Sequence, residues 1–139
     1  LSAIDATQGN AILNAILRQS ATASTTGINV RLGTNLPTAS VDMTELSGTG
    51  YVTGGSACTF AAASGEASSN TSTLTWTNGG SSWTINGIEL WDQAGSPVRW
   101  LFGAWTGAPI TVANGNSFSV AAGGIQVSIT LCSLMVTFC

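Results

Sequence analysis

The sequence predicts an all-β protein, mainly antiparallel: a single β-sandwich or flattened barrel preceded by one N-terminal α-helix. Three observations predict it. About eight short runs of alternating apolar residues are punctuated by Gly, Asn and Pro. Apolar spacing of helical period is confined to residues 5–19. At 139 residues the chain suits one domain with one core. The expected organisation is an arm over 1–27 (helix and linker), a β-sandwich over 28–130 and a tail strand over 131–139.

The helix is DATQGNAILNAILRQ. Ile12 with Ile16 and Leu13 with Leu17 form i,i+4 pairs beside Ala11 and Ala15, while Asn10, Asn14 and Arg18 line the other face. Asp5 with Gln8 resembles a capping box, with Ser2 and Asp5 as the rival, and Arg18 suits the dipole of the last turn. The apolar stripe is narrow, so the helix must lie on its own sheet or on a neighbouring subunit. Residues 20–27 (SATASTTG) read as a linker and 28–33 (INVRLG) as a short strand. The irregular stretch 34–50, broken by Pro37 and Gly48, has the length of a functional or interfacial loop. Residues 51–62 read as a strand kinked at Gly54-Gly55, and 72–76 as another.

The centre of the chain is WTINGIELWDQAGSPVRWLFGAW, Trp83 to Trp105, read as one hairpin. Both arms carry apolar residues in both phases, as strands covered on two sides do. Asp92-Gln-Ala-Gly-Ser-Pro97 is its turn. Short strands follow at 110–113 and 118–120. In the last strand the apolar residues are odd-numbered from Ile125 to Leu131, then even-numbered at Cys132, Leu134, Val136 and Phe138. That slip requires a bulge, a bend or a separate strand, and a separate tail strand could add to a neighbour's sheet edge.

Composition excludes several classes. The chain carries three Arg, no Lys and six acids, 6% charged against roughly 25% in an average soluble domain, with a net charge of −3. Nucleic-acid binding needs a cationic face and is excluded. Glycine, proline and asparagine interrupt every apolar run short of the ~20 residues of a membrane helix. The first residues have no basic and apolar regions of a signal peptide, and Leu1 in place of Met leaves processing open. Cys58, Cys132 and Cys139 are expected as free thiols, as in a reducing cytoplasm. A surface so poor in charge is weakly protected against association, which implies cover by other subunits.

The chemistry of catalysis is missing. There is no histidine, no G-x-S-x-G, and the glycine-rich Gly48–Gly55 lacks the Lys of a phosphate loop. Asp42 with Glu45, or Glu89 with Asp92, could form a glycosidase pair, but each is expected as a solvated loop or turn residue, with Asp92 bonding its own backbone. Calcium-ligand spacing is absent. The triplet Asn70-Thr-Ser72 matches a glycosylation acceptor, a motif frequent by chance. Neither enzyme activity nor a metal or cofactor is expected. The five tryptophans could form a sugar platform, but core filling and subunit anchoring fit their apolar neighbours better. The expected interface residues are Ile12, Ile16, Trp76, Trp100, Trp105, Leu134, Val136 and Phe138.

From Glu45 onward the order of motifs resembles a family of small bacteriophage virion proteins, tail-fibre-like or minor structural. The carriers are Glu45-Leu-Ser-Gly-Thr-Gly-Tyr51, Thr59-Phe60, Ser69-Asn70, Trp83, Gly87-Ile-Glu-Leu-Trp-Asp92-Gln-Ala-Gly95 and Ala121-Ala-Gly-Gly-Ile-Gln-Val127. The sequence departs from the pattern after Tyr51, where Val52-Thr53 replace a basic residue, and in 131–139. The resemblance implies a non-enzymatic virion protein assembled in the bacterial cytoplasm, self-associating and bound to other virion proteins. Compactness and near-neutrality point to a capsid cement or decoration protein, trimeric on local threefold axes and clamping the major capsid protein. The alternative is a tail or tail-fibre-associated protein, and the more distant one a carbohydrate-binding module.

Overall fold

The computed structural model describes residues 3–18 and 26–128. In chain order the elements are β1 (Ala3–Ile4), α1 (Ala6–Arg18), β2 (Ile28–Gly33), β3 (Ser56–Cys58), β4 (Ala67–Ser69), β5 (Leu74–Thr77), β6 (Trp83–Ile85), β7 (Gly87–Asp92), β8 (Arg99–Ala104), β9 (Ile110–Val112), β10 (Ser117–Val120) and β11 (Gln126–Ser128). The fold is an antiparallel β-sandwich with one N-terminal helix, its sheets not closed into a barrel.

One layer is a five-stranded sheet in the order β1-β8-β7-β2-β3. Its centre is the long ladder of β2 with β7, from Ile28 opposite Asp92 to Gly33 opposite Gly87. The other layer consists of three two-stranded ladders, β5 with β10, β4 with β11 and β6 with β9. Val30, Leu32 and Leu90 from the first layer meet Leu74, Trp76, Trp83, Ile85, Val112 and Val120 from the second. Burial alternates strictly along β5, as a half-covered strand requires.

The Trp83–Trp105 stretch holds a hairpin, but only β7 and β8 form it. The chain changes layer at Asn86, and β6 pairs with β9 instead. Asn86 makes the crossing by donating its N–H to Gly33 and its amide to Thr34, while its carbonyl accepts the Trp105 N–H. The crossing reverses the phase that faces the core: Trp83 and Ile85 before it, Leu90 after it. The turn follows the expected chemistry, since Asp92 Oδ1 accepts the N–H groups of Val98 and Ala94.

Of the stretch 51–62, only Ser56–Cys58 forms a strand in the five-stranded sheet. Gly54 and Gly55 both adopt positive φ, and a side chain at Gly55 would strike the Val30 carbonyl, so the preceding residues turn away. Two buried asparagines flank β5. Asn78 donates to the Ser81 and Val112 carbonyls and accepts from Gly80 N–H, and Asn70 donates to Ser72 and Ala121 and accepts from Ile125 N–H. Asn70 is therefore committed inside the fold and cannot be a glycan acceptor. Cys58 is a buried free thiol. Cys132, Cys139, the phase slip near Leu131 and the tail strand lie outside the described residues.

Candidate interaction surface

The site is built on one buried cation. Arg99 opens β8 and its side chain is only 3% exposed. Its Nη2 and Nε donate to Asp5 Oδ2 at 2.7 and 3.1 Å, and its Nη1 donates to Glu89 Oε1 at 2.8 Å. Further donations go to the carbonyls of Thr38, Ala39 and Val41. Asp42 approaches from solvent at 3.3 Å, and the ring of Phe102 lies under the guanidinium. A buried arginine needs this degree of pairing to offset its lost hydration. The acceptors come from three segments: the residue before α1 and the loop 34–45, both remote in sequence, and the hairpin partner β7.

Glu89 is equally committed. Its Oε1 also accepts Met43 N–H, and its Oε2 accepts Trp91 Nε1 at 2.8 Å. The expectation of a solvated residue is corrected here: Glu89 is 1% exposed, because the loop 34–45 covers it. Two cross-strand glycines admit that loop. A side chain at Gly33 would run into Met43, and one at Gly87 into Asn35 and Pro37. Glu45 is likewise half-buried, accepting Tyr51 Oη–H and Gly54 N–H. Burial and the carboxylate of Glu45 drive the Tyr51 hydroxyl well above its ordinary range. All four acids once paired as carboxylate candidates therefore have structural contacts. Among the described residues no cluster of His, Cys, Asp or Glu could hold a metal ion, and no helix is long and apolar enough to cross a membrane.

Asp5 starts the helix. Its Oδ1 caps Thr7 N–H while Oδ2 holds Arg99, and its own N–H donates to the Trp100 carbonyl. Burial pushes its carboxyl up, but Arg99 and the Thr7 and Gln8 N–H groups outweigh that and hold it below the ordinary carboxylate range. The helix then leaves the sheets. Gln8 is its only buried residue, and Leu13, Ile16 and Leu17 are 48%, 70% and 74% exposed. The choice between its own sheet and a neighbour is thus narrowed, since its own sheet does not cover the stripe.

Seven large apolar side chains stand exposed among the described residues: Leu13, Ile16, Leu17, Leu36, Val41, Val52 and Val98. All but Val52 lie on α1, on the loop 34–45 or beside Arg99 at the start of β8. Exposed apolar surface on neighbouring segments marks a candidate interaction site. An apolar groove of about 290 Å³ lies between that loop and β8, lined by Leu36, Pro37, Ala39 and Phe102 among others.

Of the expected interface residues, Ile12 and Ile16 lie on α1, and Trp100 lies on β8, where its carbonyl accepts the Asp5 N–H. Trp105 packs edge-on against Phe118 in the second layer. Trp76 is corrected from interface to core: it is 3% exposed and stacks on Phe118, so it has no face left for a partner. Leu134, Val136 and Phe138 lie outside the described residues. Asp5, Glu89 and Arg99 were missed. The available signal was a glutamate in the apolar phase of a strand read as buried on both faces, which demands a cation from its neighbours.

The chain matches the family model described as podophage GP4 fiber I protein gp80 over residues 3–128. It belongs to that family. It is accordingly a phage virion structural protein, in agreement with the motif resemblance. No curated protein matches the chain. The matched residues of this chain start at β1 and include α1 and every residue of the Arg99 network.

Proposed function

We propose that this protein is a non-enzymatic, tail-fibre-associated component of the phage particle that works by self-association and by contact with other virion proteins. The observation that carries the reading is the match to a fibre protein family along nearly the whole sandwich. The exposed apolar end supports it, because a subunit built for assembly leaves such a surface for its neighbours. The family match favours the fibre over the head shell, and the capsid-cement expectation has no further observation behind it. The trimer expectation came with the lattice geometry of a shell and loses that basis. A sugar-binding role is disfavoured by the tryptophans: Trp76 and Trp83 are buried, Trp91 lies under Arg31, and none of the five is largely exposed.

Removal of the gene product separates the readings. Particles lacking a fibre component should keep a head shell as resistant to heat and low ionic strength as the parent and lose adsorption to cells. Particles that adsorb normally but leak their contents on mild heating would reject the fibre reading in favour of cement.

A further inference from the structure

The self-association reading above leaves open which surface pairs and in what orientation. We propose that the exposed face of α1 packs antiparallel on α1 of a second copy, across a two-fold axis, with Arg18 of each copy set against Asp42 of the other. Three observations carry this.

The first is charge placement. Between Ala6 and Arg18 the helix has no acid, and Arg18 is its single charge. Asp42 is 56% exposed and lies 3.3 Å from Arg99, which also holds Asp5 at the helix start. Asp42 therefore sits at the N-terminal foot of α1, with Arg18 at the far end, ~20 Å along the axis. An antiparallel pair brings these opposite charges together twice and opposes the helix dipoles. A parallel bundle would gather the Arg18 side chains, with no acid on the helix to offset them.

The second is size. A face ~20 Å long and ~10 Å wide falls short of the ~800 Å² per partner of a stable interface. The contact must therefore extend onto flanking apolar residues, and Leu36, Val41 and Val98 are exposed on the segments that Arg99 ties to the helix base. The third is exposure: among the described residues Leu17 is 74% and Ile16 70% exposed, and both lie on this helix.

Sedimentation equilibrium of the full chain tests the proposal. The wild type should be a dimer. Ile16→Glu and Leu17→Glu, at positions already exposed in the single copy, should leave the circular dichroism unchanged and raise the dissociation constant at least tenfold. Arg18→Gln and Asp42→Asn should each weaken the dimer severalfold, and the double variant should be no weaker than the weaker single. A monomeric wild type would remove both this proposal and self-association. A trimer, or a dimer indifferent to Ile16→Glu, would overturn the α1 pairing while leaving self-association intact. Additive losses in the double variant would overturn the antiparallel register.

Discussion

Arg99 decides most at the scale of single residues. Its guanidinium donates to two carboxylates and three carbonyls, so truncation strands a buried Glu89 and frees Asp5 together. Breaking a buried pair from one side costs about 3–5 kcal/mol, and Arg99→Met should lower stability by that much in urea denaturation. Asp5 adds a pH dependence. Its carboxyl titrates lower in the folded chain than in the unfolded one, so its contribution is complete above the unfolded value of about 3.9. It fades as pH falls through the lower folded value. Amide protection in α1 should therefore drop below about pH 4 in the wild type, and Asp5→Asn should show reduced protection already at neutral pH. Little of this network was legible beforehand. Asp5 and Arg99 are 94 positions apart, and only the fold makes them neighbours. Glu89 was legible in part, because its phase placed it among Trp83, Ile85 and Trp91.

Among the elements, the helix is legible because its signals are local: Asp5, the i,i+4 pairs and Arg18 lie within four turns, although Asp5 caps the Thr7 N–H and gives its own N–H to Trp100 instead of closing a box with Gln8. The single long strand from Trp83 was misread because alternation continues unbroken through Asn86, and nothing local records that the core moves to the opposite phase there. The stretch 34–50 stands out by its length alone, but the seat of its 34–45 part on the sheet depends on Gly33 and Gly87 facing each other across two strands. Gly87→Ala should force the loop off by overpacking, at a cost of about 1–3 kcal/mol, measurable as a lowered urea midpoint with increased exchange of the Met43 amide. The tail enters as a prediction too. Removal of 131–139 should weaken assembly more than folding, so the truncated chain should keep its thermal transition while sedimenting as a smaller species. An unfolded truncated monomer would refute this.

For the whole molecule, fold class followed from composition and turn spacing because a sandwich needs only short alternating strands and a shared core. Function was legible to the level of a virion structural protein, through scarcity of charge, absence of catalytic side chains and the order of motifs. Position in the particle was not, since near-neutrality suits burial against a shell and burial within a fibre equally well. The surface proposed for the subunit contact takes residues from α1, the loop 34–45 and the start of β8, so it has no contiguous sequence signature. The central claim is that this sandwich is a fibre-associated subunit whose α1 end is covered by a neighbour. Electron cryo-microscopy of the intact particle tests it most directly. The account predicts density for this fold in the tail fibres with Ile16 and Leu17 buried at a subunit contact. The same fold on the head shell, or in a fibre with α1 facing solvent, would contradict it.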